Sequence, residues 1–201
     1  MVHMKLLRRI TQGIAVFALC GALLCGNAFA DVTNTPFPDV PVDADYAEAV
    51  ATLAELGIFK GDNAGNFNPD ESISRAEAAA VICRMLGVAE EAKQLTNVVF
   101  TDVPATHWAV GYVSKAAELG IIGGYGNGKF GPSDPVTYVQ IVKMLVCATG
   151  YESFAMENGG WPQGYLSVAM GLGLINEVPV SYNNAIPRSM VAILVYRAMY
   201  G

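Results

Sequence analysis

The residues nearest to catalytic spacing in this sequence are carboxylates. Asp62 with Asp70, and Glu77 with Glu118, are pairs of the kind a retaining or inverting glycosidase sets across a sugar ring. That chemistry needs a defined separation inside a cleft, and spacing alone marks neither pair. A calcium loop over Asp62–Asp70 fails on its pattern. An EF-hand needs oxygen ligands at positions 1, 3 and 5 and glycine at 6, whereas Ala64 and Phe67 stand at 3 and 6. Two histidines and four cysteines, none spaced as CxxC or HExxH, build no metal cluster. Phosphate-loop and nucleophile-elbow motifs are absent from the sequence. The expectation is a protein without catalytic residues, cofactor or metal.

Bulk properties point the same way. The chain has 201 residues, 53% of them hydrophobic and 15% charged, which is too apolar for disorder. A formal charge of −6 argues against nucleic acid, whose binding needs a basic surface to displace counterions.

Residues 1–30 read as an export signal. Lys5, Arg8 and Arg9 precede an uncharged apolar run from Ile14 to Cys25, and Ala28-Phe29-Ala30 supplies a small-x-small cleavage site. The apolar run is short of the roughly 18–20 residues that span a bilayer, so a retained anchor is the weaker reading. Neither Cys20 nor Cys25 follows a small residue, so a lipoprotein does not fit. The exported chain starts at Asp31 and has no further membrane contact. Three of the twelve basic residues leave with the signal, and nine against eighteen acids gives about −9. Cys83 and Cys147, both inside apolar stretches, are expected as buried free thiols.

What remains is repetitive. Shifting the sequence by about 63 positions lays residues 37–87 on residues 100–150 without a gap. Phe37-Pro38-Asp39-Val40-Pro41 falls on Phe100-Thr101-Asp102-Val103-Pro104, and Ala54-Glu55-Leu56-Gly57-Ile58 on Ala117-Glu118-Leu119-Gly120-Ile121. Gly61, Gly65, Phe67 and Pro69 meet Gly124, Gly128, Phe130 and Pro132. A third, degenerate copy occupies 155–201, where Trp161, Tyr165 and Leu172-Gly173-Leu174-Ile175 match Trp108, Tyr112 and Leu119-Gly120-Ile121-Ile122. Residues 31–36 lead in, and 88–99 and 151–160 are linkers.

Each copy spells helix, loop, helix. Val50, Leu53, Ala54 and Leu56, and Val113, Ala116, Ala117 and Leu119, recur at helical spacing. Asp45 with Glu48 and Thr106 are the expected caps of those first helices. Gly57, Gly120 and Gly173, each followed by an apolar residue, are Schellman stops. Second helices open at Ser74-Arg75-Ala76-Glu77 and Thr137-Tyr138-Val139-Gln140, both capping boxes, whereas Pro187-Arg188-Ser189-Met190 has lost the box. The apolar runs behind them need a shared core, because one repeat of about 50 residues buries too little alone.

Phe-x-Asp-Val, a tryptophan, Gly-Ile-Ile-x-Gly, Gly-x-Phe-x-Pro and Ser-Arg-Ala-Glu together resemble the S-layer homology repeat, across nearly all of 37–201. The resemblance implies an all-α fold in which three helix-loop-helix repeats stand in a pseudo-three-fold arrangement around a central three-helix bundle. It also implies inter-repeat grooves that hold a secondary cell-wall glycopolymer, often pyruvylated, or in some relatives peptidoglycan. The protein is then a cell-wall or S-layer protein at a bacterial surface, whose partners are wall polysaccharide and other surface proteins.

On that resemblance Arg75 and Arg188 take the motif arginine's place. A guanidinium engages a ketal carboxylate bidentately, which lysine cannot imitate. Trp108 and Trp161 offer indole faces to sugar rings. Ser74 and Thr137 at the helix starts, with Gly61 and Gly124 in the turns, would present amides to an anion. Plainer roles compete. The arginines can be surface charges or partners of nearby acids, the tryptophans can pack between lobes, and His107 can simply lie on the surface. Ser74 and Thr137 are caps first. Asp39 and Asp102 are expected to fix turns, and Phe67 and Phe130 to be core. Tyr138 replaces the arginine in copy two and Asp45 the tryptophan in copy one, so one or two grooves are expected to be competent, the one served by Arg75 first. An assembly module that has lost glycan binding is the main rival.

Overall fold

The computed structural model describes residues 35–177, 179 and 181–201, so the export signal lies outside the described residues. Among them there are eight helices and no strand. They are α1 Ala47–Glu55, α2 Arg75–Met85, α3 Ala89–Lys93, α4 Val110–Glu118, α5 Tyr138–Ala148, α6 Glu152–Glu157, α7 Gln163–Gly171 and α8 Arg188–Tyr200. None is long and apolar enough to cross a membrane.

Local sequence accounts for most helix ends. Ser74 caps α2 through a full box: its Oγ accepts from the Glu77 amide at 3.2 Å, and Glu77 Oε2 accepts from the Ser74 amide at 2.8 Å. In α5 the Thr137 amide donates to Gln140 Oε1 at 3.2 Å. Helix α8 follows Pro187 without a side-chain cap. Gly57, Gly120 and Gly173 have φ of +68°, +74° and +72°, and the next amides reach back to Leu53, Ala116 and Ala169 at 2.8–2.9 Å. These are Schellman closures, which need a left-handed residue that only glycine adopts without strain.

Two expected caps are corrected. Neither Asp45 nor Thr106 caps a helix: α1 starts after Tyr46 and α4 after Ala109. A local bond replaces Thr106, because His107 Nδ1 accepts from the Ala109 amide at 3.1 Å. The stretches 88–99 and 151–160 also contain helices, α3 and α6. Both press so closely on the following first helix that a Cβ on Gly111 or Gly164 would stand 2.0 Å from the carbonyl of Ala92 or Ala155.

The tertiary plan crosses repeats. Helix α2 packs on α4, α5 on α7, and α8 on α1, so each second helix is covered by the first helix of another copy; α5 also packs against α2 and α8. The loops bind in the same cyclic sense. Arg75 and Ala76 amides donate to Asp134 and Pro132 carbonyls, Tyr138 and Val139 to Asn184 and Tyr182, and Arg188 and Ser189 to Glu71 and Pro69. Isolated bridges Ser74–Pro135, Thr137–Ala185 and Ser72–Pro187 follow the same circuit.

The shared core holds Leu53, Phe67, Ile82, Phe130, Ile141, Leu145 and Leu194, all at 1% exposure or less. Complete burial of such a side chain contributes about 1.5–3 kcal/mol. Asp39 and Asp102 tie the loops to it. Asp39 accepts from the amides of Phe67 and Asn68 at 2.8 and 2.6 Å, and Asp102 from Phe130 and Gly131 at 2.8 Å each. Among the described residues the free thiols are Cys83, buried, and Cys147, half-buried, and burial pushes both up to about 12.

Candidate functional site

Arg75 opens α2 and points out of its own repeat. Only 8% of the residue is exposed, so it is not a solvated surface charge. Its Nε donates to the Phe130 carbonyl at 2.8 Å and Nη2 to that of Gly123 at 2.9 Å. The guanidinium lies 4.5 Å from the Phe130 ring centre and 4.9 Å from that of Tyr125. Burial lowers its pKa, against the opposing pull of Tyr125, Asp134 and Asp102, yet arginine stays charged. Two of its five N–H donors are spent on carbonyls.

A pocket of about 180 Å³ extends from that fork, lined among others by Tyr125, Gln140, Lys143 and Trp161. All three sequence copies contribute to it. Lys143 Nζ stands over Tyr165 and Trp161, 5.5 and 5.9 Å from their centres. Trp161 is 52% exposed, so it does not pack away between lobes; its edge meets Tyr165 at 6.3 Å. Among the described residues, no acidic side chain lines this pocket.

Arg188 repeats the arrangement one step around the circuit. Its Nε donates to the Phe67 carbonyl at 2.8 Å and Nη2 to that of Lys60 at 3.1 Å, and its guanidinium covers Phe67 and Phe59 at 5.1 and 5.6 Å. Burial lowers its pKa as well. One contact has no counterpart at Arg75: Glu77 Oε1 lies 3.5 Å from Arg188 Nη1. The adjoining cavity is larger, about 970 Å³, and is lined by Gly61, Ser74, Glu77, Arg84 and Trp108 among others. Trp108 is 57% exposed.

At the third junction Tyr138 occupies the arginine position, with its hydroxyl 3.5 Å from the Glu177 carbonyl, and burial raises its pKa. Asp45, in the tryptophan position, is exposed.

The structure thus gathers Arg75, Gly124 and Trp161 at one pocket and Arg188, Gly61, Ser74 and Trp108 at another, whereas Thr137 lines neither. The glycines have a packing reason. A Cβ on Gly61 would stand 2.8 Å from the Phe37 ring, and one on Gly124 would stand 2.7 Å from Phe100. At the start of α2 the first two amides donate to the Asp134 and Pro132 carbonyls, and the third to Ser74 Oγ. Lys143, Tyr125, Gln140 and Arg84 were not among the expected site residues. The 63-residue register could have found the helix members, since Gln140 and Lys143 stand opposite Glu77 and Ala80.

The family model for the S-layer homology domain matches residues 36–79 and 99–141. The chain is a member of the S-layer homology family through these two stretches. It is 37% identical over 199 residues to a cell surface protein of Thermoanaerobacter kivui, an alignment covering 98% of this chain and 25% of that protein. It is 34% identical to the middle cell wall protein of Brevibacillus brevis, over 96% of this chain and 18% of the relative. A cellulosome-anchoring protein of Acetivibrio thermocellus is 26% identical, over 73% of this chain and 34% of the relative. The chain spans about a third or less of the length of these relatives.

Proposed function

We propose that this chain anchors to the bacterial cell wall without chemistry, by gripping an anionic wall glycopolymer in the Arg75 pocket. Family membership and the surface-protein relatives support a place at the cell wall or cell surface and an anchoring role. The finer reading rests on one observation: Arg75, Lys143 and the exposed Trp161 meet in one pocket from three sequence copies. A planar carboxylate, such as a pyruvate ketal, suits the free part of the Arg75 fork. Lys143 adds a second positive charge, and Trp161 offers an apolar face to the ring. We read 37–87, 100–150 and 155–201 as three repeats in a pseudo-three-fold ring, the third degenerate. Ser74 and Gly61 serve the wall polymer through the neighbouring cavity, and Thr137 only as a cap. Partners beyond the polymer would be other surface proteins.

The test is co-sedimentation of the exported chain with sacculi before and after chemical removal of the secondary polymer. Binding lost on stripping supports the reading. Equal binding to both preparations shifts the ligand to peptidoglycan, and binding to neither leaves a pure assembly module.

A further inference from the structure

The sequence holds two asparagine–glycine steps, Asn127-Gly128 and Asn158-Gly159, and all four residues are exposed. In such a step the glycine nitrogen, with no Cβ beside it, is open to attack the asparagine side-chain carbon, one reason asparagine is thermolabile. The two steps share a dipeptide and differ in how the fold holds the amide.

Asn127 lies in the loop between α4 and α5. Its Oδ1 accepts from the Lys129 amide at 3.1 Å, so a donor already points at the oxygen that gains negative charge when the side-chain carbon is attacked. The attacking group is free. Among the described residues the Gly128 amide donates to nothing, whereas its copy-one counterpart Gly65 donates to the Asp62 carbonyl at 3.1 Å. At Asn158, which ends α6, the bond is on the other atom. Its Nδ2 donates to the Phe154 carbonyl at 2.8 Å, and its backbone amide donates to the same oxygen at 3.1 Å. These bonds hold the departing nitrogen and the residue at the helix end, and ring closure must break the first of them.

We propose that Asn127 is a site of spontaneous modification in the folded protein, turning into aspartate and isoaspartate, while Asn158 is spared. The Gly128 nitrogen loses its proton to hydroxide and bonds to Asn127 Cγ. The Cγ–Nδ2 bond breaks, and Nδ2 takes a proton back from the water so formed and leaves as ammonia. Water then opens the cyclic imide, at Cγ to give aspartate or at the backbone carbonyl to give isoaspartate. Either product adds a negative charge. Aspartate suits the loop, because in copy one Asp62 Oδ1 serves the Asn66 amide, the counterpart of Lys129, at 2.9 Å. Isoaspartate lengthens the backbone beside Gly128, whose carbonyl accepts from the Thr101 amide at 2.9 Å and hydroxyl at 3.1 Å. That product loosens the loop from the start of its own repeat.

The exported chain is incubated in warm, mildly alkaline buffer, folded and in urea, and its peptides are followed by mass spectrometry with isoaspartyl methyltransferase labelling. Folded, Asn127 should convert about tenfold faster than Asn158, whose bond to Phe154 must open first. In urea the two rates should converge. Equal rates in the folded chain, a faster Asn158, or no conversion of Asn127 overturns the proposal. A difference that persists undiminished in urea overturns it as well, since flanking residues rather than the fold would then choose. Asn127→Asp should leave the urea unfolding midpoint unchanged, and a lowered midpoint overturns the claim that the loop accepts aspartate.

Discussion

Arg75 Nε donates to the carbonyl of Phe130, 55 residues further along, at 2.8 Å. Arg188 makes the same bond to Phe67 from the far end of the chain, also at 2.8 Å. The motif arginine therefore joins two repeats while it faces a groove. On the proposed anchoring reading the same side chain would also serve the architecture, so a loss of wall binding in an arginine variant would have two sources that need separate measurements.

Arg75→Lys keeps the charge and loses the fork. An ammonium cannot hold the Phe130 and Gly123 carbonyls together in the plane between two rings. Urea unfolding should show a loss of about 1–3 kcal/mol. An unchanged midpoint would mean that the two carbonyl bonds contribute nothing to holding the repeats together.

Asp102→Asn separates the loop clamp from the carboxylate charge. Burial, the largest influence on Asp102, pushes its pKa up, but the Phe130 and Gly131 amides outweigh it and hold the group below its ordinary 3.8. A depressed folded pKa gives stability that is complete above the ordinary value and lost as pH falls through the folded one. At neutral pH the variant should be less stable by about 1–3 kcal/mol. Below about pH 4 the gap should close as the native protein alone loses its contribution. A gap that stays constant from pH 7 to pH 2 would rule out the carboxylate as the clamp.

Trp161→Ala and Lys143→Ala should weaken binding to intact sacculi, each about tenfold, while thermal unfolding moves little. Trp161 is half exposed and its ring partner Tyr165 is buried by other contacts, so the fold loses little. A large drop in melting temperature with unchanged wall binding would make Trp161 a packing residue.

Gly111→Ala sets a methyl against the Ala92 carbonyl, 2.0 Å from where its Cβ would stand. Backbone cannot yield as a side-chain tip does, so α3 must shift away from α4 at a cost of about 1–3 kcal/mol or more. Gly57→Ala, at φ +68° with open space around it, should cost only about 1 kcal/mol. Parallel denaturation of the two variants checks the order, and equal costs would contradict the contact.

Much of this was legible in the sequence because the signals are local. Ser74 and Glu77 sit three residues apart, Gly57 and Ile58 are neighbours, and Phe67 with Phe130 marks the register. Pairing between helices is different. The apolar faces of α2 and α5 are equally satisfied by the first helix of their own copy or of the next, so periodicity cannot choose. Arg75 illustrates the same limit: its motif position was visible, its carbonyl partners 48 and 55 residues away were not. Asp45 misled because a capping pattern needs the chain to turn into the helix at that residue, and α1 begins after Tyr46 instead. Helix α3, five residues long, is too short for a periodic signal.

The contact of α8 with α1, together with the Ser72–Pro187 bridge, turns a row of repeats into a loop with no open end. An open solenoid can gain or lose a unit and remain itself. In a closed circuit each member covers another: without α7 and α8, both α5 and α1 lose the helix that packs on them. Variation is then confined to what each junction displays, and the replacement of arginine by Tyr138 at one of them changes the display without breaking the circle.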